Sequence, residues 1–181
     1  MNRRSRPTSV LLDKSVVRET LRALQRLESG QPLPERQFFS FAAIDLLFAR
    51  EIPASITEQL RHILLQPHIA SAAQALLPHL SVLTPGRYCR RWARRLREEG
   101  FSPEDALILS HASFGADPAL GIFGAEVLLT TDYALKERFE RQFPHISGRF
   151  KRMTHQLSLP YREATLPDVL RPDELLDLLH G

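Results

Sequence analysis

The chain has 181 residues, 43 % of them hydrophobic and 25 % charged. That suffices for one domain with a hydrophobic core, is too little for two large ones, and argues against disorder along the whole chain. A net charge of +3 and a pI near 9.4 are mildly basic, which permits a polyanionic partner without requiring one. Cys89 is the single cysteine, so no intramolecular disulfide can form, which suits a reducing compartment. The start is basic, but Val10-Leu11-Leu12 is too short for a signal-peptide core. The most apolar window, Phe38 to Ala49, is shorter than the roughly 20 residues that span a bilayer and contains Asp45. The expectation is a cytoplasmic protein with no membrane partner.

In chain order, residues 1–8 read as a basic N-terminal extension. Ser9 to Leu12 reads as a short buried strand, and Ser15 to Leu27 as a helix closed near Gly30. Arg36 to Arg50 reads as a second helix, stopped by Pro53. Ser55 or Thr57 offers a cap for a third helix running to Leu65. Ser71 to Leu77 reads as a short helix, and Leu80 to Leu83 as a strand. Pro85-Gly86 marks a turn, and Arg87 to Glu99 is a patterned helix that Gly100 terminates. Ser102-Pro103 opens a helix that reaches Ser113. Gly115 to Gly124 reads as a loop, Glu126 to Thr130 as a strand, and Tyr133 to Phe143 as a helix. Beyond Pro144 the pattern weakens: His155 to Pro172 is loop-like or extended, and Asp173 to His180 forms a last short helix. Strands alternating with helices predict an α/β domain over residues 9–145, a central parallel sheet flanked by helices. Residues 146–181 read as a C-terminal extension.

Four aspartates are hard to read as ordinary surface. Asp13 follows Val10-Leu11-Leu12 and Asp132 follows Val127-Leu128-Leu129-Thr130-Thr131, so each stands at the carboxyl end of an apolar strand, where open α/β sheets bind ligands. Asp45 shares a helical stripe with Phe41, Phe48 and Ile52, which predicts a core-facing carboxylate. Asp105 stands three residues after the Ser102 cap, on the side of Ile108, Leu109 and Ala112. Each has a plainer explanation: helix capping for Asp13, Asp105 and Asp132, a buried ion pair or an edge position for Asp45. Together they can converge on one sheet edge. Clustered carboxylates repel unless a cation holds them, and all-oxygen donors select Mg²⁺ or Mn²⁺.

On the segments Val10-Leu11-Leu12-Asp13, Ile44-Asp45-Leu46-Leu47, Asp105-Ala106-Leu107-Ile108-Leu109 and Leu128-Leu129-Thr130-Thr131-Asp132, the sequence resembles the PIN-domain family over about residues 9 to 143. The resemblance implies a PIN-like fold and a metal-dependent endoribonuclease acting on RNA, with Asp13, Asp45, Asp105 and Asp132 as catalytic and metal-binding carboxylates. Thr130 and Thr131 would support them through hydrogen bonds to a carboxylate or a metal-bound water. It also implies the alternatives of a PIN-fold binding module without catalysis and of a toxin with an antitoxin or other protein partner; a homodimer is a further expectation. Lys14 departs from the family, which has a small hydroxyl residue there, and Asp45 stands where the family has Glu. The Gly115 to Ala125 loop is also longer than the family's.

Arg87, Arg90, Arg91, Arg94 and Arg95 form a stripe beside Tyr88, Trp92 and Leu96. With Lys14 they are the candidate nucleic-acid contacts, since arginine–phosphate pairing is independent of sequence; a solvated helix face or an acidic protein partner are the other readings. No Walker loop, nucleophile elbow or zinc-protease motif is present. His62, His111 and His155 are scattered and read as structural or exposed. Cys89 lies among arginines that would lower its pKa, but reads better as a buried thiol.

Overall fold

The computed structural model describes residues 7–67 and 69–181. Residues 1–6 of the basic extension lie outside the described residues. Strand β1 is Val10–Leu12, β2 Ala54–Thr57, β3 Leu80–Pro85, β4 Gly115–Asp117, β5 Ile122–Phe123, β6 Val127–Leu129 and β7 Asp168–Leu170. They form one sheet in the order β5-β4-β3-β2-β1-β6-β7. β3, β2, β1, β6 and β7 run parallel, while β4 and β5 add an antiparallel edge. The protein is therefore α/β as predicted, but its sheet is mixed and not wholly parallel.

Helices cover both faces: α1 Lys14–Glu28, α2 Glu35–Ala49, α3 Glu58–Leu64, α4 Ala70–Ala73, α5 Cys89–Glu98, α6 Pro103–Phe114, α7 Tyr133–Thr154 and α8 Pro172–His180. Side chains alternate across a strand, so β1 sends Val10 and Leu12 into one core and Leu11 into the other; Val127, Leu129 and Leu128 of β6 divide in the same way. Both faces are buried, which is why these strands read as unbroken apolar runs. No helix among the described residues is long and apolar enough to cross a membrane.

Two segments differ from the sequence reading. Ala54–Thr57, expected only as a possible cap region, is a central strand between β1 and β3. It lacks an apolar run because Ser55, although buried, has a polar partner: its hydroxyl meets that of Ser81 across the β2–β3 pair at 2.6 Å. The expected loop from Gly115 to Gly124 holds the β4–β5 hairpin. Gly115 is required there, since a Cβ would come within 2.5 Å of the His111 carbonyl oxygen.

Helix α7 does not stop at Phe143 but continues eleven residues past it, through Pro144, to Thr154. Proline in a helix interior costs about 3 kcal/mol. Burial of Ile146, Phe150 and Met153 at helical spacing on the same helix offsets that cost, at roughly 1.5–3 kcal/mol per side chain. Residues 146–181 also supply β7, paired with β6, and α8, which packs on α2 through Leu175 and Leu179. They complete the sheet and one core.

Candidate active site

The site starts from the β1–β6 pair. Leu12 lies in parallel register with Leu129, so the residues that follow each strand emerge side by side at the carboxyl edge. Asp13 caps α1, accepting from Ser15 N. The same oxygen, Oδ2, accepts from the Ser15 hydroxyl and from Thr130 Oγ1 at 2.9 Å. Thr130 Oγ1 in turn accepts from Asp132 N at 3.0 Å, and Ser15 Oγ accepts from Thr131 N at 3.0 Å. Asp132 Oδ1 caps α7 by accepting from Ala134 N and Leu135 N. Among the described residues this leaves Asp13 Oδ1 and Asp132 Oδ2 without a hydrogen-bond partner. Thr130 and Thr131 are buried, Asp13 is half-buried and Asp132 is exposed. Arg36 of α2 braces the loop, donating from Nη2 to Thr131 O at 3.1 Å and Oγ1 at 2.6 Å.

Asp45 does not join this group. It is exposed, whereas α2 buries Gln37, Ser40, Ala43, Ile44 and Leu47. Of the expected stripe, Ile52 lies in the core, Phe48 packs against it and Phe41 is half-buried, while Asp45 is exposed. Asp45 also lies nine residues beyond Arg36, about 14 Å along the helix axis from the edge that Arg36 touches. Asp105 stands at the start of α6, where its backbone N–H donates to Ser102 Oγ at 3.1 Å. It is half-exposed, not inward-facing, and its carboxylate has no hydrogen bond or ion pair among the described residues. Lys14 is exposed and pairs with Glu104 at 3.0 Å. That pair brings the first turns of α1 and α6 together, although an exposed pair stabilises by less than about 1 kcal/mol.

A cleft of about 380 Å³ opens beside Asp13, at the ends of β1, β2 and β3. It is lined by Glu58 and Glu104, which the sequence did not single out, and by His111, read there as structural or exposed, together with Asp13, Lys14 and Arg90. Glu58 opens α3 directly after β2, and reading β2 as a strand would have placed it at the carboxyl edge. His111 is buried; its Nδ1–H donates to Leu107 O at 3.0 Å, and burial pushes its pKa below the ordinary histidine value. Cys89, at the base of the cleft, is buried and its thiol is pushed up to about 11. Burial outweighs the lowering effect of the Gly86 backbone, so the group is a protonated thiol that donates to Ser110 O. A larger cavity of about 620 Å³ lies along β7, and none of the four aspartates lines it. The charges there are already matched, Lys136 pairing with Glu140 and Glu174.

The four predicted aspartates therefore divide. Asp13 and Asp132 stand in one hydrogen-bonded group with Thr130 and Thr131, Asp105 stands apart from it, and Asp45 stands elsewhere. Among the described residues no three His, Cys, Asp or Glu side chains come together as a metal-binding group. The donor chemistry still suits a hard cation. Mg²⁺ keeps several waters and is commonly held by one or two carboxylates plus substrate phosphate oxygens, and Asp13 Oδ1 and Asp132 Oδ2 provide that kind of donor. No family model matches the chain, and no curated protein matches it.

On α5, Arg90, Arg91 and Arg94 are exposed and Arg95 half-exposed, while Cys89, Trp92 and Leu96 are buried; Arg87, expected at the helix start, is exposed in the turn before it. Arg97, not included in the sequence stripe, is exposed on the same helix.

Proposed function

We propose that the protein is a metal-dependent endoribonuclease of PIN type, hydrolysing RNA phosphodiester bonds at the carboxyl edge beside Asp13 and Asp132. The observation that carries the reading is the Asp13–Thr130–Asp132 arrangement. Two carboxylates from distant parts of the chain are each held through one oxygen and keep the other uncommitted among the described residues, and Asp13 lines an open cleft. The resemblance in the order of the acidic segments adds to it.

In this reading Asp13 and Asp132 would hold Mg²⁺ or Mn²⁺, and the bound ion would supply Lewis acidity toward a phosphate oxygen and an acidified water. Thr130 and Ser15 fix the Asp13 rotamer, so the uncommitted oxygen keeps one direction. Arg36 holds the Thr131 backbone and with it the approach of Asp132. Glu58, which lines the cleft, would orient water or accept a proton, while Glu104 is engaged by Lys14. Lys14 and Arg90 offer positive charge to a phosphate.

The test is cleavage of mixed single-stranded and structured RNA with Mn²⁺ or Mg²⁺, comparing wild type with Asp132→Asn prepared identically. Metal-dependent cleavage that vanishes in the variant supports the reading. Equal activity in both points to a contaminant. A second reading, a PIN-fold binding module without catalysis, is favoured by the exposed position of Asp45 on α2, apart from Asp13 and Asp132. It predicts RNA or protein binding with no cleavage in either preparation.

A further inference from the structure

We infer that the exposed face of α5 is a docking track for the sugar–phosphate backbone of single-stranded RNA, leading into the cleft through Arg90. This rests on the nuclease reading and names how its substrate is held.

The first observation is that the arginines of α5, and Arg87 just before it, have no acidic partner among the described residues. Arg87, Arg90, Arg91, Arg94, Arg95 and Arg97 form no hydrogen bond or ion pair among the described residues; only Arg87 has a neighbour, the Tyr88 ring. The two acids at the end of the helix do not neutralise them. Glu98 and Glu99 are both turned to Arg149 of α7, each at 2.5 Å. A chain with a net charge of +3 thus concentrates six uncompensated guanidinium groups on one short segment.

The second observation is continuity with the cleft. Arg90 belongs both to the exposed arginine face and to the cleft wall that holds Asp13 and His111. Arg94 and Arg97 follow it at i+4 and i+7, on the same side of the helix. They extend about 10 Å from the cleft mouth at 1.5 Å per residue. The platform is rigid. Trp92 and Leu96 are buried beneath it, and Gly86, which starts the turn into α5, packs so closely that a Cβ would meet Phe114 O at 2.0 Å.

The third observation selects the partner. Every large apolar side chain of α5 faces inward, so the exposed face has charge but no hydrophobic anchor. Protein interfaces draw most of their affinity from buried aromatic and apolar anchors. Backbone phosphate binding needs only positive charge and released counterions. The face therefore fits a polyanionic strand better than an acidic protein.

The experiment is fluorescence anisotropy of a short labelled single-stranded RNA on the full chain, with EDTA present so that no cleavage occurs, over a series of salt concentrations. Wild type is compared with Arg94→Ala/Arg97→Ala, and circular dichroism and thermal melting confirm that the variant folds. Single-strand binding loses about 0.7 in the slope of log K against log salt for each phosphate contact removed. The double variant is expected to bind at least about tenfold more weakly near 0.1 M salt, with a slope shallower by about 1.4. Unchanged affinity and slope in a folded variant would overturn the track. So would equal binding of a polyglutamate peptide to the same arginines, which would make the face a site for acidic protein. Failure of the nuclease reading is distinguishable: RNA would bind with these slopes, yet metal would produce no cleavage.

Discussion

Thr130 Oγ1 donates a 2.9 Å hydrogen bond to Asp13 Oδ2, joining the ends of two neighbouring parallel strands across 117 residues of chain. Thr130 is fully buried, and its oxygen also accepts from Asp132 N. One hydroxyl thus holds the Asp13 carboxylate and the backbone of Asp132. Thr130→Val keeps the shape and removes both bonds. The Asp13 carboxylate then loses a donor, and hydrogen bonds to charged groups contribute about 1.5–3 kcal/mol. The variant should lose about 2 kcal/mol in urea unfolding, and any metal-dependent cleavage should fall with it. A stability change below about 0.5 kcal/mol would show that the bond does not organise the edge.

Asp132 has two separable jobs. As the cap of α7 it accepts two backbone N–H groups through Oδ1. Asparagine can do the same, while alanine cannot, and loss of a cap costs about 1 kcal/mol. Asp132→Asn should match wild type in stability and Asp132→Ala should be about 1 kcal/mol weaker. Under the nuclease reading both should lack cleavage. Melting curves and the RNA assay on the same preparations separate the two roles.

Asp45 should matter to neither property. It is exposed in the third turn of α2, far from the edge that Arg36 reaches. Asp45→Asn is expected to change stability by less than about 0.5 kcal/mol and to leave cleavage intact, in contrast to Asp13→Asn. Loss of activity in a folded Asp45→Asn protein would restore the sequence-based assignment of four acidic site residues.

His111 makes stability depend on pH with a defined sign. Its folded pKa lies below the ordinary value of 6.5 because it is buried. Between the folded and unfolded values the unfolded chain binds more protons, so stability rises with pH there. The contribution is complete above pH 6.5 and declines as pH falls toward the folded pKa. Wild type should therefore lose more stability than His111→Gln between pH 7.5 and pH 5, measured by urea midpoints. Parallel losses in the two proteins would exclude His111 as the cause.

Gly86 tests how tightly the turn into α5 is held. An added Cβ would lie 2.0 Å from the backbone oxygen of Phe114, where no flexible side chain can yield. Gly86→Ala should destabilise the protein by about 1–3 kcal/mol through forced backbone movement. A neutral result in thermal unfolding would show that the β3–α5 turn adapts freely.

The residue pattern alone was enough for the α/β class, for β1 and β6, for the extents of α1 and α2 to within a residue or two, and for placing Asp13 and Asp132 just past apolar strands. Those features are local: a fully buried strand must be continuously apolar, and a helix shows its caps and its buried stripe in neighbouring residues. The Asp13–Asp132 neighbourhood followed from two such ends once the strands were paired. β2 was not legible, because its buried Ser55 is satisfied by Ser81, a partner 26 residues away. The passage of α7 through Pro144 was not legible either, since burial of Ile146 and Phe150 outweighs a local helix breaker. Asp45 misled because the core-facing side of α2 centres on Ala43, Ile44 and Leu47, which leaves Asp45 exposed although Phe48 and Ile52 of its stripe pack inward. Glu58 became visible only when β2 carried it to the carboxyl edge. The isolation of the α5 arginines depended on Arg149, whose approach from α7 withdraws Glu98 and Glu99. Local preference specifies where strands and helices form. Which side chains meet is decided by packing between segments far apart in the chain, and there the tertiary structure alone is informative.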